Sequence, residues 1–142
     1  MPAETTISTP LPAGVSEQAV IKSLHDHQQY IRTTCPQLIS QKRLSGDPSS
    51  SCEYEITDKR PMGQTTFTLK LTNVSDGIDA VVNGKAPTGS MVIRSQWRAT
   101  EGALKENVEI DSNIVTKKFI KGNVEKAHPD FHKGFLAEAA KA

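Results

Sequence analysis

The stretch "TTFTLKLTNVSDGIDAVVNG", Thr65 to Gly84, decides how this chain folds. Phe67, Leu69 and Leu71 alternate with Thr66, Thr68, Lys70 and Thr72, a pattern that puts every apolar side chain on one face of a strand. "SDG" then reads as a hairpin turn in which Asp76-Gly77 supplies the positive φ angles such turns need. Ile78, Ala80 and Val82 resume the alternation on the way back. Two strands with one apolar face are not stable alone, so the pair demands further strands and a cover.

The same period extends outward on both sides. Downstream, "SMVIRSQWRA" sets Met91, Ile93, Ser95 and Trp97 against Arg94, Gln96 and Arg98. "LKENVEIDS" sets Leu104, Val108 and Ile110 against Lys105, Asn107, Glu109 and Asp111. Glu106 falls in the inward phase as an exception, and an irregular edge would turn it to water. Upstream, "LISQKRLS" and "CEYEITDK" read as strands joined by the polar loop "GDPSSS". Asp58, at the end of the second, is expected to cap a turn or pair with Lys59 or Arg60 in solvent. Six strands thus run in a row, an antiparallel meander with one wet face.

The cover comes from the two ends. Thr5 to Thr9 is a short extended piece stopped by Pro10, Pro12 and Gly14. Ser16 is an N-cap, and Val20, Leu24, Ile31 and Cys35 recur at helical spacing from Glu17 to about Thr34, where Pro36 ends the helix. From Ile114 onward the strand alternation disappears, and Phe119, Val124, Ala127, Phe131, Phe135 and Leu136 form a helical stripe. Pro129 is expected to kink or restart this helix. A sheet with one apolar face, a helix before it and a long helix after it is an α+β architecture.

Composition narrows the function. The 142 residues fit one domain, 1–142, and the 17 lysines and arginines against 16 acids leave a net charge of +1. No basic run exceeds two residues, so the electrostatic stripe of a nucleic-acid binder is missing. Cys35 and Cys52 fall in different elements and form no CxxC pair, which suits a reducing compartment. The N-terminus "MPAETTISTPLPAG" has no basic or apolar signal region, and no run approaches the ~18 apolar residues that cross a bilayer. The expectation is a cytoplasmic protein without membrane insertion. Exposed sheet edges leave a homodimer open.

Four segments, "PLPAGVSEQAVIKSLHDHQQYIR", "YEITDKRP", "RSQWRA" and "FIKGNVEKAHPDFHKGF", resemble a small fungal group within the helix-grip superfamily. That superfamily contains START lipid-transfer domains, birch-pollen allergens and polyketide cyclases, and the resemblance covers nearly the whole chain. It implies a curved antiparallel sheet wrapped on a long C-terminal helix around an apolar cavity, shallow in so short a chain. It implies a hydrophobic small-molecule substrate, either carried or cyclised. The chain is also similar to small Diels–Alderases of fungal sordarin-type diterpenoid pathways. That similarity implies a cofactor-free intramolecular [4+2] ring closure of a terpenoid or polyketide intermediate.

Under that fold the inward phase lines the cavity with Ile56, Phe67, Leu69, Ile78, Val82, Met91, Ile93 and Val108, and the lid adds Phe119 and Phe131. Each is equally an ordinary core residue. Among the polar members of that phase, Asp58 and Glu106 offer carboxylates, while Tyr54, Ser95 and Trp97 are donors able to hold a substrate carbonyl and polarise it. A pericyclic reaction needs little more than orientation, worth up to ~7–11 kcal/mol. His128 is the candidate acid or base, because histidine changes charge near neutral pH.

His128 and His132 have the i, i+4 spacing of a zinc pair, but the glutamate of HExxH is absent and Pro129 is expected to break the helix between them. His25 and His27 are two apart and splay on a helix. No metal site is expected. The loops "KRPMGQ" and "GKAPTG" are hairpin turns or gates of the cavity mouth. Cyclase, non-catalytic carrier and protein-interaction module all remain open from the residues alone.

Overall fold

A computed structural model of the chain describes residues 2–60, 63–86 and 89–141. Its elements run β1 (Ala3–Pro10), α1 (Glu17–His25), α2 (His27–Thr34), β2 (Leu38–Gly46), β3 (Ser51–Arg60), β4 (Gly63–Val74), β5 (Gly77–Ala86), β6 (Gly89–Thr100), β7 (Ala103–Ser112) and α3 (Ile114–Ala139). The strands form one antiparallel sheet in the order β1-β7-β6-β5-β4-β3-β2. The meander expected from the alternation is therefore present, and the short N-terminal piece is a full seventh strand. It closes against β7, placing Ile7 opposite Glu106 and Thr9 opposite Leu104.

The expected single N-terminal helix is two. Ser16 caps α1, its hydroxyl accepting from the Ala19 amide at 3.1 Å. Asp26 then leaves helical angles at φ −79°, ψ 97° and caps α2 by accepting from the Gln29 amide at 3.1 Å. An aspartate offers the backbone this local alternative to the helical ladder, which the apolar periodicity does not reveal. The break aims the residues on either side of it at the sheet. His25 Nε2 donates to the carbonyls of Val74 and Gly77 at 2.9 and 2.7 Å.

The β4–β5 turn also differs from its expected geometry. Positive φ occurs at Glu101 and Gly102, in the β6–β7 turn, and not at Asp76 or Gly77. Gly77 is required for space: a Cβ there would run into the carbonyl oxygen of Trp97. The helical cover is shared. α3 lies over β1 and β7, while α1 lies over β5 and β6. The main core gathers Val20, Leu24, Ile31, Ile56, Leu71, Ile78, Trp97 and Phe135. A second, smaller cluster of Val108, Ile110, Ile120 and Val124 fills the other end beneath α3.

α3 passes through Pro129 as one 26-residue helix. The proline removes the bond to the carbonyl four residues back, at a cost of about 3 kcal/mol. Side chains on both sides of it, Val124 before and Phe135 and Leu136 after, are buried in the core and hold the two halves in line. The loop positions 61–62 and 87–88, where the sequence places gates, lie outside the described residues.

Two glycine substitutions test this account of the backbone. Gly77→Ala is expected to lower stability by about 3 kcal/mol or more, because a backbone carbonyl cannot move aside. Gly122→Ala, on α3 with open space around it, is expected to raise stability by up to about 1 kcal/mol. Urea midpoints of the two variants read the contrast directly.

Candidate functional site

The inward-phase exception at position 106 is the centre of the site. Glu106 lies between Trp97 on β6 and Ile7 on β1, and its side chain is fully buried. It does not turn to water. Dehydrating a carboxylate costs several kcal/mol, and hydrogen bonds to a charged group return about 1.5–3 kcal/mol each. Two histidines of α3 supply them. His128 Nδ1 lies 2.7 Å from Glu106 Oε2, and His132 Nε2 lies 3.1 Å from Oε1. The i, i+4 spacing in an unbroken helix is what brings both rings to one carboxylate.

The partners assign the protons. Burial alone would raise the Glu106 pKa, but the hydrogen bonds and charges of His128 and His132 outweigh it and hold the carboxyl below its ordinary value. Glu106 is thus an acceptor, and each histidine donates the N–H facing it. His132, fully buried, then has only Nδ1 left as an acceptor, and the Thr9 hydroxyl donates to it at 2.9 Å. His132 is saturated. His128 is not: its Nε2 has no protein partner among the described residues, and its side chain is 17% exposed. Its ring lies nearly parallel to the Trp97 indole, centroids 6.4 Å apart, and 4.7 Å from the Phe131 ring. The carboxylate that holds Nδ1–H also fixes the direction in which Nε2 points.

Beside the His128 ring stands Phe131, which is only half-buried. Phe67, Val82, Met91, Ile93 and Phe131 are all half-buried, on the inner face or on α3 beside it. These half-covered apolar residues outline a candidate groove between the sheet and α3, and a Cβ at Gly84 would crowd Phe67 and Met91 there. Ser95 lies on β6 between Ile93 and Trp97, buried and on the same face.

The expected lining therefore divides in three. Phe67, Val82, Met91, Ile93 and Phe131 border the groove. Ile56, Leu69, Ile78 and Val108 are sealed core, the last two beneath α1 on β5 and α3 on β7. Phe119 is a correction: it is 68% exposed, on the outer side of α3, and forms no lid over the groove.

The expected polar set divides as well. Trp97 has no exposed surface, and its indole N–H donates to Tyr30 Oη at 3.0 Å. Burial, followed by the nearby Glu106 charge, pushes the Tyr30 phenol well above its ordinary pKa. Tyr54 belongs to a different network: its hydroxyl donates to His27 Nδ1 at 3.0 Å, and His27 Nε2 donates to Asn73 Oδ1 at 2.8 Å. Burial lowers the His27 pKa and raises that of Tyr54, so both stay neutral and hold α2 to β3 and β4. Asp58 is buried at its strand end and not in solvent. Of the expected polar residues, His128 is partly exposed beside Phe131, and Ser95 is buried on the inner face between Ala80 and Val108. Glu106 was expected as an inward carboxylate that an irregular edge would turn to water, and its network with His128, His132 and Thr9 was not foreseen, although the histidine spacing was visible in the sequence.

No group of three or more His, Cys, Asp or Glu side chains among the described residues is placed to hold a metal ion. A separate crevice of about 200 Å³ lies between α1, α2 and the end of α3. Lys22, Asp26, Gln29 and Glu138 give it polar walls unlike those of the groove.

Comparison with known proteins places the chain by fold and family. The profile of a family described as a domain of unknown function (DUF7053) matches residues 2–141. No curated protein matches in sequence. Among solved structures, the chain is similar to Ara h 8.0201 at 12% identity and a TM-score of 0.69, covering 100% of both chains. It is similar to the Zhui aromatase/cyclase from Streptomyces sp. R1128 at 14% identity and a TM-score of 0.66, over 98% of this chain and 93% of that one. It is also similar to a STAR-related lipid transfer protein from Xanthomonas axonopodis at 9% identity and a TM-score of 0.56, over 93% and 85%. At such identities the likeness shows the helix-grip fold and nothing finer. No helix among the described residues is long and apolar enough to cross a membrane.

The lowered pKa of Glu106 carries a sign that can be measured. A carboxyl held below its ordinary value contributes stability that is complete above that value and is lost as pH falls toward the lowered one. Urea midpoints taken from about pH 7 down to about pH 3 should therefore fall more steeply for the native chain than for Glu106→Gln. The variant should start less stable at neutral pH and show a flatter acid limb. Parallel curves would mean that the Glu106 carboxyl is not the group responsible.

Proposed function

The chain belongs to the DUF7053 family, and we propose that it binds an apolar polyketide-like or terpenoid-like intermediate in the groove and promotes its ring closure by proton transfer at His128. One observation carries this reading: a histidine whose Nδ1–H is held by a buried carboxylate presents its unpaired Nε2 beside half-buried apolar walls. A general base needs a free lone pair, a fixed direction and a counter-charge, and all three are in place. In the step we propose, Nε2 removes a proton from carbon next to a substrate carbonyl. The resulting enolate attacks a second carbonyl carbon of the same molecule, and the imidazolium returns the proton to the new alkoxide. Glu106 steadies the imidazolium throughout. Ser95, on the inner face two residues from Ile93, is the donor we assign to the developing oxyanion. No cofactor enters this sequence. The Zhui neighbour, named an aromatase/cyclase, lends the fold a precedent for such chemistry.

An intramolecular [4+2] cycloaddition is the second reading, favoured by the groove alone, since apolar walls on two sides hold one molecule folded. It makes no use of the Glu106–His128 pair. The donors expected to polarise a dienophile, the Trp97 N–H and the Tyr54 O–H, already serve Tyr30 and His27. Proton-assisted closure is therefore the better fit. Simple carriage of an apolar ligand, the activity in the name of the lipid transfer neighbour, uses the walls and leaves the pair idle.

Incubation with a panel of linear polyketide and terpenoid precursors, followed by native mass spectrometry and product structure, separates the three. The native chain should release a ring-closed isomer or its dehydrated product faster than buffer does. His128→Asn should keep ligand binding and lose about 10²–10⁴ in rate. Closure at an undiminished rate in that variant would point to orientation alone, and recovery of unchanged ligand from the native chain would point to a carrier.

A second substitution tests the groove wall. Ile93→Asp puts a carboxylate on the half-buried inner face and should weaken ligand binding by tenfold or more, about 1.4 kcal/mol. Equilibrium binding of the same precursors by the folded variant reads this, and unaltered affinity would remove Ile93 from the ligand's path.

A further inference from the structure

The first turns of α3 carry side chains that neither the core nor the groove uses. Ile114, Val115 and Phe119 are each close to 70% exposed, the three most exposed large apolar side chains among the described residues. Helical spacing puts them together: Val115 and Phe119 are i and i+4, and Ile114 is beside Val115 at the free end. The opposite face of the same turns, Thr116, Ile120 and Val124, is buried against β7. The outward direction of the apolar trio is thus fixed by packing.

Lysines surround the trio. Lys118 is exposed between Ile114 and Phe119, and Lys117 and Lys121 flank it. From Ile114 to Val124 the helix holds no acidic residue; the nearest are Asp111 before it and Glu125 after it. Glu125 Oε2 accepts from the Thr5 hydroxyl at 3.3 Å. The start of α3 also abuts β5–β6, since Asn113 packs on Gly89, and Lys85 is exposed nearby on β5. In a chain of net charge +1, this end is locally and strongly basic.

We propose that the first two turns of α3 are a peripheral docking surface for an anionic lipid bilayer, with Ile114, Val115 and Phe119 entering the interface and Lys118 and Lys121 meeting the headgroups. Three observations select a bilayer over a second copy of the chain. The apolar residues protrude from a convex helix end and so suit a soft interface more than a rigid pocket. The surrounding lysines would repel one another across a symmetric dimer. They match the negative surface of phosphatidylserine-rich membranes instead. The inner side of the same turns, Ile120 and Val124, packs with Met91 and Ile93, so docking would bring the helix that covers these residues to the lipid. The surface stands without the proton-transfer reading, because none of its residues belongs to the Glu106–His128 pair.

The test is flotation of the full chain with vesicles of phosphatidylcholine alone and of phosphatidylcholine mixed with phosphatidylserine, at low and high salt. Binding should be about tenfold or more stronger on the anionic vesicles and fall with salt. Phe119→Ser and Lys118→Glu should each reduce it severalfold while melting like the native chain, as both positions are exposed. Three results would overturn the proposal: no binding to anionic vesicles, equal binding by native chain and variants, or a concentration-dependent dimer in light scattering that Phe119→Ser abolishes.

Discussion

A carboxylate with no exposed surface is costly anywhere in a protein, and at Glu106 that cost organises the helix above it. Two imidazole N–H groups are needed to hold the charge, and both come from one helix, so α3 must lie along β7 in a single register. Sliding α3 by one residue would take both rings away from the carboxylate. The apolar contacts of Val124, Phe135 and Leu136 would tolerate such a slip far better, since hydrophobic attraction has no direction. Thr9 extends the constraint to β1 by saturating His132. The N-terminal strand, the last strand and the last helix are therefore fixed together by a single chain of hydrogen bonds.

A second polar chain does the same for the N-terminal helices. The break at Asp26 frees His25 and His27 from sharing one helical face, and each ring reaches the sheet at its own place. His27 is held neutral by burial, and both its nitrogens are satisfied by Tyr54 and Asn73. This network is closed, with every polar atom returned to the protein. The Glu106 network has one open end, at His128 Nε2. That asymmetry is the physical difference between His27 and His128.

The sheet was legible in the sequence because its alternation is a local property of each strand. The register and the meander followed from short turns, and the one missed pairing, β1 with β7, joins residues about a hundred positions apart with no local signal. The inner set of Phe67, Val82 and Ile93 was legible for the same reason, but its division into sealed core and open groove was not. That division depends on where α1 and α3 lie, and their placement is set by side-chain pairing across the fold. Glu106 marks the limit most clearly. Alternation placed its side chain inward, yet a carboxylate is assumed to seek water unless its partners are known. Those partners lie more than twenty residues later, on either side of a proline that ordinarily interrupts a helix.

The site's position at the seam of the two apolar clusters follows from these constraints. Glu106 separates the main core from the smaller cluster around Val108 and Ile110, because apolar packing cannot run continuously through a charged group. On β6 and β7 the inward neighbours of the carboxylate, Trp97, Leu104 and Val108, are themselves fully buried, and the half-covered Ile93 and Val82 lie one row beyond Val108 along the sheet, opposite Ile110. A polar group at such a seam serves stability poorly: a buried ion pair is often no better than well-packed hydrophobic residues of the same volume. What it supplies is a directed, unpaired nitrogen at an apolar surface, which no arrangement of leucines and valines can offer. The fold gives up some core at this point and keeps an oriented imidazole there instead.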